Sequence, residues 1–192
     1  MKNKDSAFSN FGAPILVLVV ICFVVTFALA MTYGVTNPII EKNTEAAANA
    51  ARTELLPDAK GDFKEYKGDL VVLEKNKVFT DNCYVAENGS GCVVTTESSS
   101  YGGLLTAMVG IDKDGAITKV KITEASDTAG VGTRAQTSGH LNQYKGLSKL
   151  GNEQIKQDTT VKYVSGASVS SEAIHKAVWC ALQQYKDMGG VK

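Results

Sequence analysis

The pattern of apolar and polar positions differs on the two sides of residue 40, because charged side chains become frequent only after it. Residues 6–40 contain no charged side chain, and within them residues 13–33 (APILVLVVICFVVTFALAMTY) are almost all apolar. An α-helix rises about 1.5 Å per residue, so about 20 apolar residues cross a hydrocarbon core of ~30 Å. The pattern therefore predicts one membrane-spanning helix over residues 13–33.

A cleaved signal peptide is the alternative for this stretch. The apolar part of a signal peptide runs over about 7–15 residues and ends at a small-x-small site. This run is longer, and its candidate site, residues 28–30, lies inside it. We therefore expect a retained single-pass anchor in the cell (inner) membrane. Lys2 and Lys4 precede the span, which favours a cytoplasmic segment 1–12 and an extracytoplasmic C-terminal part.

The rest of the chain predicts an α+β domain. Residues 41–56 are rich in Ala and charged side chains and end before Pro57, which is typical of a helix, so residues 34–56 form a linker helix and 57–192 a domain. Hairpins are predicted around Asn88-Gly89, joining strands 83–85 and 92–95, and around residues 112–115, joining strands 104–111 and 117–122. Further strands are predicted at 70–73, 77–79 and 161–164, and helices at 152–157 and 170–188.

Charge and composition argue against several classes of protein. Lys and Arg number 20, as do Asp and Glu, so the chain lacks the basic excess of a nucleic-acid-binding protein. With 44% hydrophobic residues it is not a disordered tail protein. The four cysteines do not have the spacing of a metal site. Cys83 and Cys92 lie on opposite strands of a predicted hairpin. They form either a disulfide or two free thiols.

Two common catalytic patterns are incomplete. Residues 130–135 match G-x-G-x-x-A, but a dinucleotide site needs this motif directly between a strand and a helix. We interpret it as a glycine-rich loop that a planar ligand can approach. His140 and His175 have no acid or nucleophile in a known order, and a hydrolase motif G-x-S-x-G is missing. We expect His175 to face solvent or to cap the last helix.

Two other segments have both a structural and a functional interpretation. Tyr101, Gly102 and Gly103 form either a loop closed by an aromatic side chain or the lining of a flat ligand site. The hydroxyl-rich residues 165–172 (SGASVSSE) precede the last helix. They form either an N-cap with a capping box or an anion site, above all for phosphate.

Several collinear motifs carry a family resemblance: TNPIIEKN at 36–43, ARTELLPDA at 51–59, YGGLLTAMVGID at 101–112 and SGAS at 165–168. With them the chain resembles the G subunit of the Rnf complex, an ion-translocating ferredoxin:NAD+ oxidoreductase. The C subunit of the Na+-translocating NADH:quinone reductase shares the FMN-binding domain of that family. The resemblance covers most of the chain, whose length suits the Rnf protein better.

The resemblance implies FMN attached by a phosphoester bond to the last hydroxyl residue of an (S/T)-G-A-T motif, here Ser168, with Ser170 as the fallback acceptor. This sequence departs from the family at three places: Ser168 for Thr, Lys162 for Asp, and DTAGVG at 127–132 for E-T-P-G-(L/I)-G. The other residues implied to contact the cofactor are Ser165, Gly166, Ala167, Ser170, Ser171, Tyr101, Gly102, Gly103, Gly130, Gly132 and Thr133.

The function implied is an electron relay between the ferredoxin and NAD+ branches of a redox-driven ion pump, with little turnover by this chain alone. The partners implied are other membrane and iron–sulfur subunits, a flavin transferase for maturation, and membrane lipid, without nucleic acid. The alternatives are a stand-alone membrane-anchored FMN protein for extracellular electron transfer and a C-type quinone-reductase subunit. A third is a non-redox structural or adhesion module whose serines only cap a helix.

Overall fold

The computed structural model describes residues 12–191 of the 192-residue chain. Nearly all of the predicted cytoplasmic segment 1–12 thus lies outside the described residues. Backbone contacts divide the chain into two compact units, with the boundary between Ala48 and Asn49. The predicted boundary between the span and the linker helix, at residues 33–34, is not a break in secondary structure, whereas the helix ends at Leu55, next to the predicted end at residue 56.

The first helix, α1, runs without interruption over Ala13–Leu55. Within the described part of the chain it is the one helix long and apolar enough to cross a membrane. Its apolar side chains, such as Ile15, Phe23 and Phe27, are largely exposed. Pro38 lies inside α1, where it removes one backbone hydrogen bond without ending the helix.

The second unit is built on an antiparallel sheet of six strands in the order β1-β3-β4-β5-β6, with β2 also paired to β3. The strands are β1 (Phe63–Glu65), β2 (Val72–Glu74), β3 (Val78–Ala86), β4 (Gly91–Ser100), β5 (Gly103–Asp112) and β6 (Ile117–Glu124). Both predicted hairpins, β3–β4 and β5–β6, are confirmed. The separate strands predicted at 77–79 and 83–85 are one strand, β3, with a register shift between Thr80 and Asn82 that interrupts the apolar alternation.

Each face of this sheet has a cluster of buried apolar residues. One face packs against the last helix, α3 (Ser168–Asp187), through apolar residues at helical spacing such as Ile174, Val178 and Ala181. The opposite face packs against the end of α1, where Leu55 is fully buried with Val93 of β4. Neighbouring residues of a strand point to opposite faces, so the two sides have separate apolar clusters. The predicted α+β class with terminal helices is confirmed.

Two predicted elements are wrong. Residues 152–157 form a series of turns rather than a helix, and residues 161–164 are irregular rather than a strand. The physical reason is that side chains accept backbone N–H groups in both stretches. In the first, Asp158 accepts the N–H of Asn152 and Glu172 accepts that of Ile155. In the second, Gln143 accepts the N–H of Lys162 and Ser171 accepts that of Val164. A side chain that binds these donors replaces the hydrogen bonds of regular structure. A short helix, α2 (Ser138–Leu141), and 3₁₀ turns lie between β6 and α3.

The cysteines of the β3–β4 hairpin are free thiols. Cys83 pairs with Val94 and Cys92 pairs with Val85, so the two cysteines are diagonal neighbours on one face of the sheet. The two thiols hydrogen-bond to each other, and no bond joins their sulfur atoms. Both side chains are fully buried, and Cys83 contacts Met188 at 3.5 Å. Of the two alternatives, the structure has the unbridged one.

Candidate functional site

Three segments far apart in sequence surround a cavity of about 410 Å³. They are the turn between β4 and β5, the loop that follows β6, and the first turn of α3. Cofactor and ligand sites commonly enclose about 300–1,000 Å³, so the cavity is large enough for one. Its lining consists of Tyr101, Thr128, Val131, Gly132, Gly166, Ala167, Ser168, Val169 and Ser170.

The structure brings the sequence-predicted residues into these same three segments, but they do not all line the cavity. Those in the lining are Tyr101, Gly132, Gly166, Ala167, Ser168 and Ser170. Those outside it are Gly102, Gly103, Gly130, Thr133, Ser165 and Ser171. Thr128 and Val131 also line it and belong to the loop 127–133, which the family resemblance implies to lie near the flavin ring. Val169 was not predicted, although it lies between two predicted serines.

The mouth of the cavity is apolar. Tyr101 is 76% exposed, Val169 is 52% exposed and Val131 is 50% exposed. Folding places these three large side chains beside one cavity without covering them. A flat aromatic ligand bound there would remove part of their surface from water.

Ser168 is the first residue of α3, and the chain reaches it through Gly166, whose φ is +82°. A left-handed backbone conformation of this kind favours glycine. The predicted capping box is wrong: the N-cap residue is Ala167, which has no side-chain donor or acceptor. Ser171 instead accepts the Val164 N–H at 3.0 Å, and Glu172 accepts the Ile155 N–H at 3.1 Å. The serines of this turn therefore do not close the helix end.

Ser168 borders two cavities. Besides the cavity already described, it lines a second, more polar cavity of about 440 Å³. Three lysines and two glutamates lie around this second cavity: Lys77, Lys156, Lys176, Glu74 and Glu172. Glu74 pairs there with Lys176 at 2.6 Å and with Lys77 at 3.7 Å. Ser168 thus separates an apolar cavity from a charged one.

Two glycines of the site permit close contacts between its segments. A Cβ atom on Gly102 would collide with the carbonyl oxygen of Ser126. A Cβ atom on Gly132 would lie 2.6 Å from the Asp127 Cβ and 2.8 Å from the Ser170 Oγ. Side chains at these two positions would separate the turn, the loop and α3 from one another.

The histidines form a separate, buried cluster. His175 is fully buried, its Nδ1 lies 3.3 Å from the Tyr144 hydroxyl, and its Nε2 lies 2.8 Å from the Asn152 carbonyl oxygen. The expectation of a solvent-facing or capping His175 is wrong, and an acid does converge on it, since Asp158 is 3.5 Å away. Burial lowers the pKa of the neighbouring His140. None of these residues lines the 410 Å³ cavity, and their hydrogen bonds join α3 to the segments between β6 and α3.

The comparison with known families identifies the domain. Residues 100–183 match the FMN-binding domain family. The match begins at the turn between β4 and β5, includes the loop after β6 and ends within α3, so it contains every residue of the 410 Å³ cavity.

Similar proteins extend this match to the whole chain. The chain is 30% identical over 190 residues to the G subunit of the Na(+)-translocating ferredoxin:NAD(+) oxidoreductase complex of Acetobacterium woodii, covering 90% of each chain. It is 25% identical over 181 residues to the G subunit of the proton-translocating complex of Clostridium ljungdahlii, covering 91% of each. It is 29% identical to the G subunit of the ion-translocating oxidoreductase complex of Methanosarcina acetivorans, covering 88% of this chain and 90% of that one. This chain therefore belongs to the family of G subunits of the ion-translocating ferredoxin:NAD(+) oxidoreductase, or Rnf, complexes.

Proposed function

We propose that this chain is the FMN-carrying electron-relay component of an Rnf-type ferredoxin:NAD+ oxidoreductase, anchored in the membrane by α1. One observation carries the proposal: the FMN-binding match spans the complete lining of the cavity in a chain that aligns with G subunits over about 90% of its length. FMN supplies one-electron chemistry when it is bound, and the protein supplies position and electrostatics.

The residues of the cavity fit the two ends of FMN. Tyr101, Val131 and Val169 offer apolar surface for a flat ring system. Ser168 and Ser170 offer hydroxyl groups at the first turn of α3, where backbone N–H groups and the helix dipole favour a phosphate. The ring system of FMN would then contact the apolar side chains at the mouth of the cavity, and its phosphate would lie at the first turn of α3.

Ser168 is the acceptor that we propose for a covalent phosphoester. Its side chain is half-buried and lines both cavities. Ser165 is exposed and lies outside the lining, whereas Ser170 is buried and hydrogen-bonds to Asp127. The Ser168 Oγ would lose its proton and form a bond to the phosphorus of an activated FMN donor, and the bond from that phosphorus to the donor's leaving group would break in the transferase. The chain would gain the mass of FMN less one water. A flavin transferase would need access to this hydroxyl, which the charged second cavity provides.

Membrane position and partners complete the proposal. The domain from Asn49 onward would lie outside the cytoplasm, where it would exchange electrons with other membrane and iron–sulfur subunits. The relatives are named as subunits of multi-subunit complexes, and this chain aligns with them nearly end to end. That coverage supports a complex subunit over a stand-alone flavoprotein, which would not co-purify with membrane partners.

The experiment that tests the site is Ser168→Ala in the full chain expressed with its flavin transferase. We expect the flavin fluorescence that survives SDS denaturation to disappear, together with the added mass of FMN less one water. Ser165→Ala is the matched control, because it removes an exposed hydroxyl three residues earlier, and it should keep both signals. Retention of the covalent band in Ser168→Ala would exclude this acceptor. A yellow native protein with a dark denatured band, for the unsubstituted chain, would show FMN bound without the ester.

A further inference from the structure

Asp127 connects the loop after β6 to the turn between β4 and β5. Its carboxylate accepts the Ser100 hydroxyl at 2.8 and 2.9 Å to the two oxygens. It also accepts the backbone N–H of Gly102 at 3.1 Å. Ser100 and Gly102 flank Tyr101, the exposed aromatic residue at the mouth of the cavity. Asp127 therefore fixes the backbone that carries Tyr101.

The same carboxylate connects the loop to the other side of the cavity. It accepts the side-chain amide of Gln136 at 3.3 Å and a hydrogen bond from the Ser170 hydroxyl. Ser170 lies two residues after Ser168, in the first turn of α3. One side chain thus binds the turn, the loop and the helix that together surround the cavity.

None of these hydrogen-bond partners of Asp127 is a cation. Its donors are two hydroxyls, one backbone N–H and one amide, all neutral. Burial opposes ionisation, but the hydrogen bonds outweigh it and hold the pKa of the Asp127 carboxyl below its ordinary value. At neutral pH a negative charge therefore stands beside the cavity, and the groups that hydrogen-bond to it are neutral.

We propose that Asp127 is the positioning residue of the FMN site, holding Tyr101 and Ser168 in register across the cavity and placing a fixed negative charge beside it. The inference rests on the proposed function, because it names what organises the same site. Negative charge near a redox group disfavours the addition of an electron, so the charge lowers the midpoint potential of a flavin bound there.

The test compares Asp127→Asn, Asp127→Glu and Asp112→Asn in the full chain with its transferase. Asp112→Asn is the control, because Asp112 also accepts two backbone N–H groups, at 2.9 Å, but lies at the opposite end of the ten-residue strand β5. For Asp127→Asn we expect flavin incorporation to slow by about tenfold, the effect of weakening hydrogen bonds to a charged group. The midpoint potential of the flavin that is incorporated should become more positive. Asp127→Glu should restore the potential, and Asp112→Asn should change neither quantity.

The possible results separate the positioning role from the proposed function. An Asp127→Asn protein with the incorporation rate and potential of Asp112→Asn would overturn the positioning role while leaving the proposed function intact. A wild-type chain that binds no flavin would overturn the proposed function and this inference together. If Asp127→Asn does not fold, Ser100→Ala replaces it, since it keeps the charge and removes the shortest bonds. Faster hydrogen exchange of the Gly102 amide in Ser100→Ala is then expected, and unchanged exchange would overturn the proposal.

Discussion

Asp158 determines the conformation of a stretch that has no regular secondary structure. Its carboxylate accepts the N–H groups of Gly151 at 2.8 Å and of Thr160 at 2.6 Å, and it lies 3.5 Å from the buried His175 Nε2. Burial raises the pKa of this carboxyl, but the hydrogen bonds outweigh burial and the pKa is lowered. The ionised side chain therefore stabilises the folded loop and its contact with α3.

We predict that Asp158→Asn lowers the free energy of unfolding at pH 7 by about 2–3 kcal/mol, because buried donors lose a charged acceptor. A lowered pKa means that this stabilisation is present above the unfolded value of about 3.9 and is lost as the pH falls through the folded value. The difference between wild type and Asp158→Asn should therefore shrink below about pH 4. Urea unfolding at pH 7 and at a pH below about 4 measures this difference in stability. Asp114→Asn, at an exposed position, is the control. Equal stability of wild type and Asp158→Asn at pH 7 would contradict the prediction.

The contact between the end of α1 and the sheet depends on a residue without a side chain. The Thr118 hydroxyl of β6 donates to the Leu55 carbonyl oxygen at 2.5 Å, directly over Gly110 of β5. A Cβ atom on Gly110 would lie 2.5 Å from the Thr118 Oγ1 and 2.7 Å from the Leu55 oxygen. A helix end whose carbonyl groups would otherwise lack partners is thereby satisfied by the sheet.

We predict that Gly110→Ala destabilises the domain by about 1–3 kcal/mol, the usual cost of overpacking a close contact. Gly139→Ala in α2 is the matched control, because no atom lies within 4 Å of the added Cβ and the backbone conformation suits alanine. It should leave stability unchanged or raise it by up to about 1 kcal/mol. Thermal unfolding of the two variants measures the difference. A Gly110→Ala protein as stable as Gly139→Ala would show that the end of α1 and the sheet can separate without cost.

Secondary structure was predictable where a pattern is local. Asn88-Gly89 and residues 112–115 indicate turns by their own backbone preferences, and both hairpins follow. The helix predicted at 152–157 failed because side chains outside the segment accept its backbone N–H groups, Asp158 that of Asn152 and Glu172 that of Ile155. The spacing of apolar residues along the chain does not predict hydrogen bonds between side chains and backbone N–H groups.

The charges that flank the span predict the orientation of the whole chain, with a cytoplasmic N-terminus and an extracytoplasmic domain. We expect Lys64→Cys, an exposed position in β1, to react with a membrane-impermeant maleimide in intact cells. Lys4→Cys should react only after the cells are permeabilised. The native Cys83, Cys92 and Cys180 are buried and should contribute little background. Labelling of Lys4→Cys alone in intact cells would establish the opposite orientation.

Properties that depend on neighbouring residues or on motif order could be derived from the chain before folding. The apolar span at 13–33, the hairpin turns and the helix after residue 168 each follow from local composition and periodicity. The motifs at 36–43, 101–112 and 165–168 indicated the family, because their order along the chain is itself the evidence. The prediction of Ser168 as the acceptor rests on the same motif order.

Which of these residues share a surface depends on tertiary packing. Tyr101 lines the cavity and Gly102 does not, although they are adjacent, because Gly102 packs against the backbone of Ser126. Asp127 meets Ser100 across 27 positions of sequence, and Asp158 meets His175 inside the fold. Contacts of this kind depend on how the sheet, the loop and the last helix pack, so the partners become neighbours only when the chain has folded.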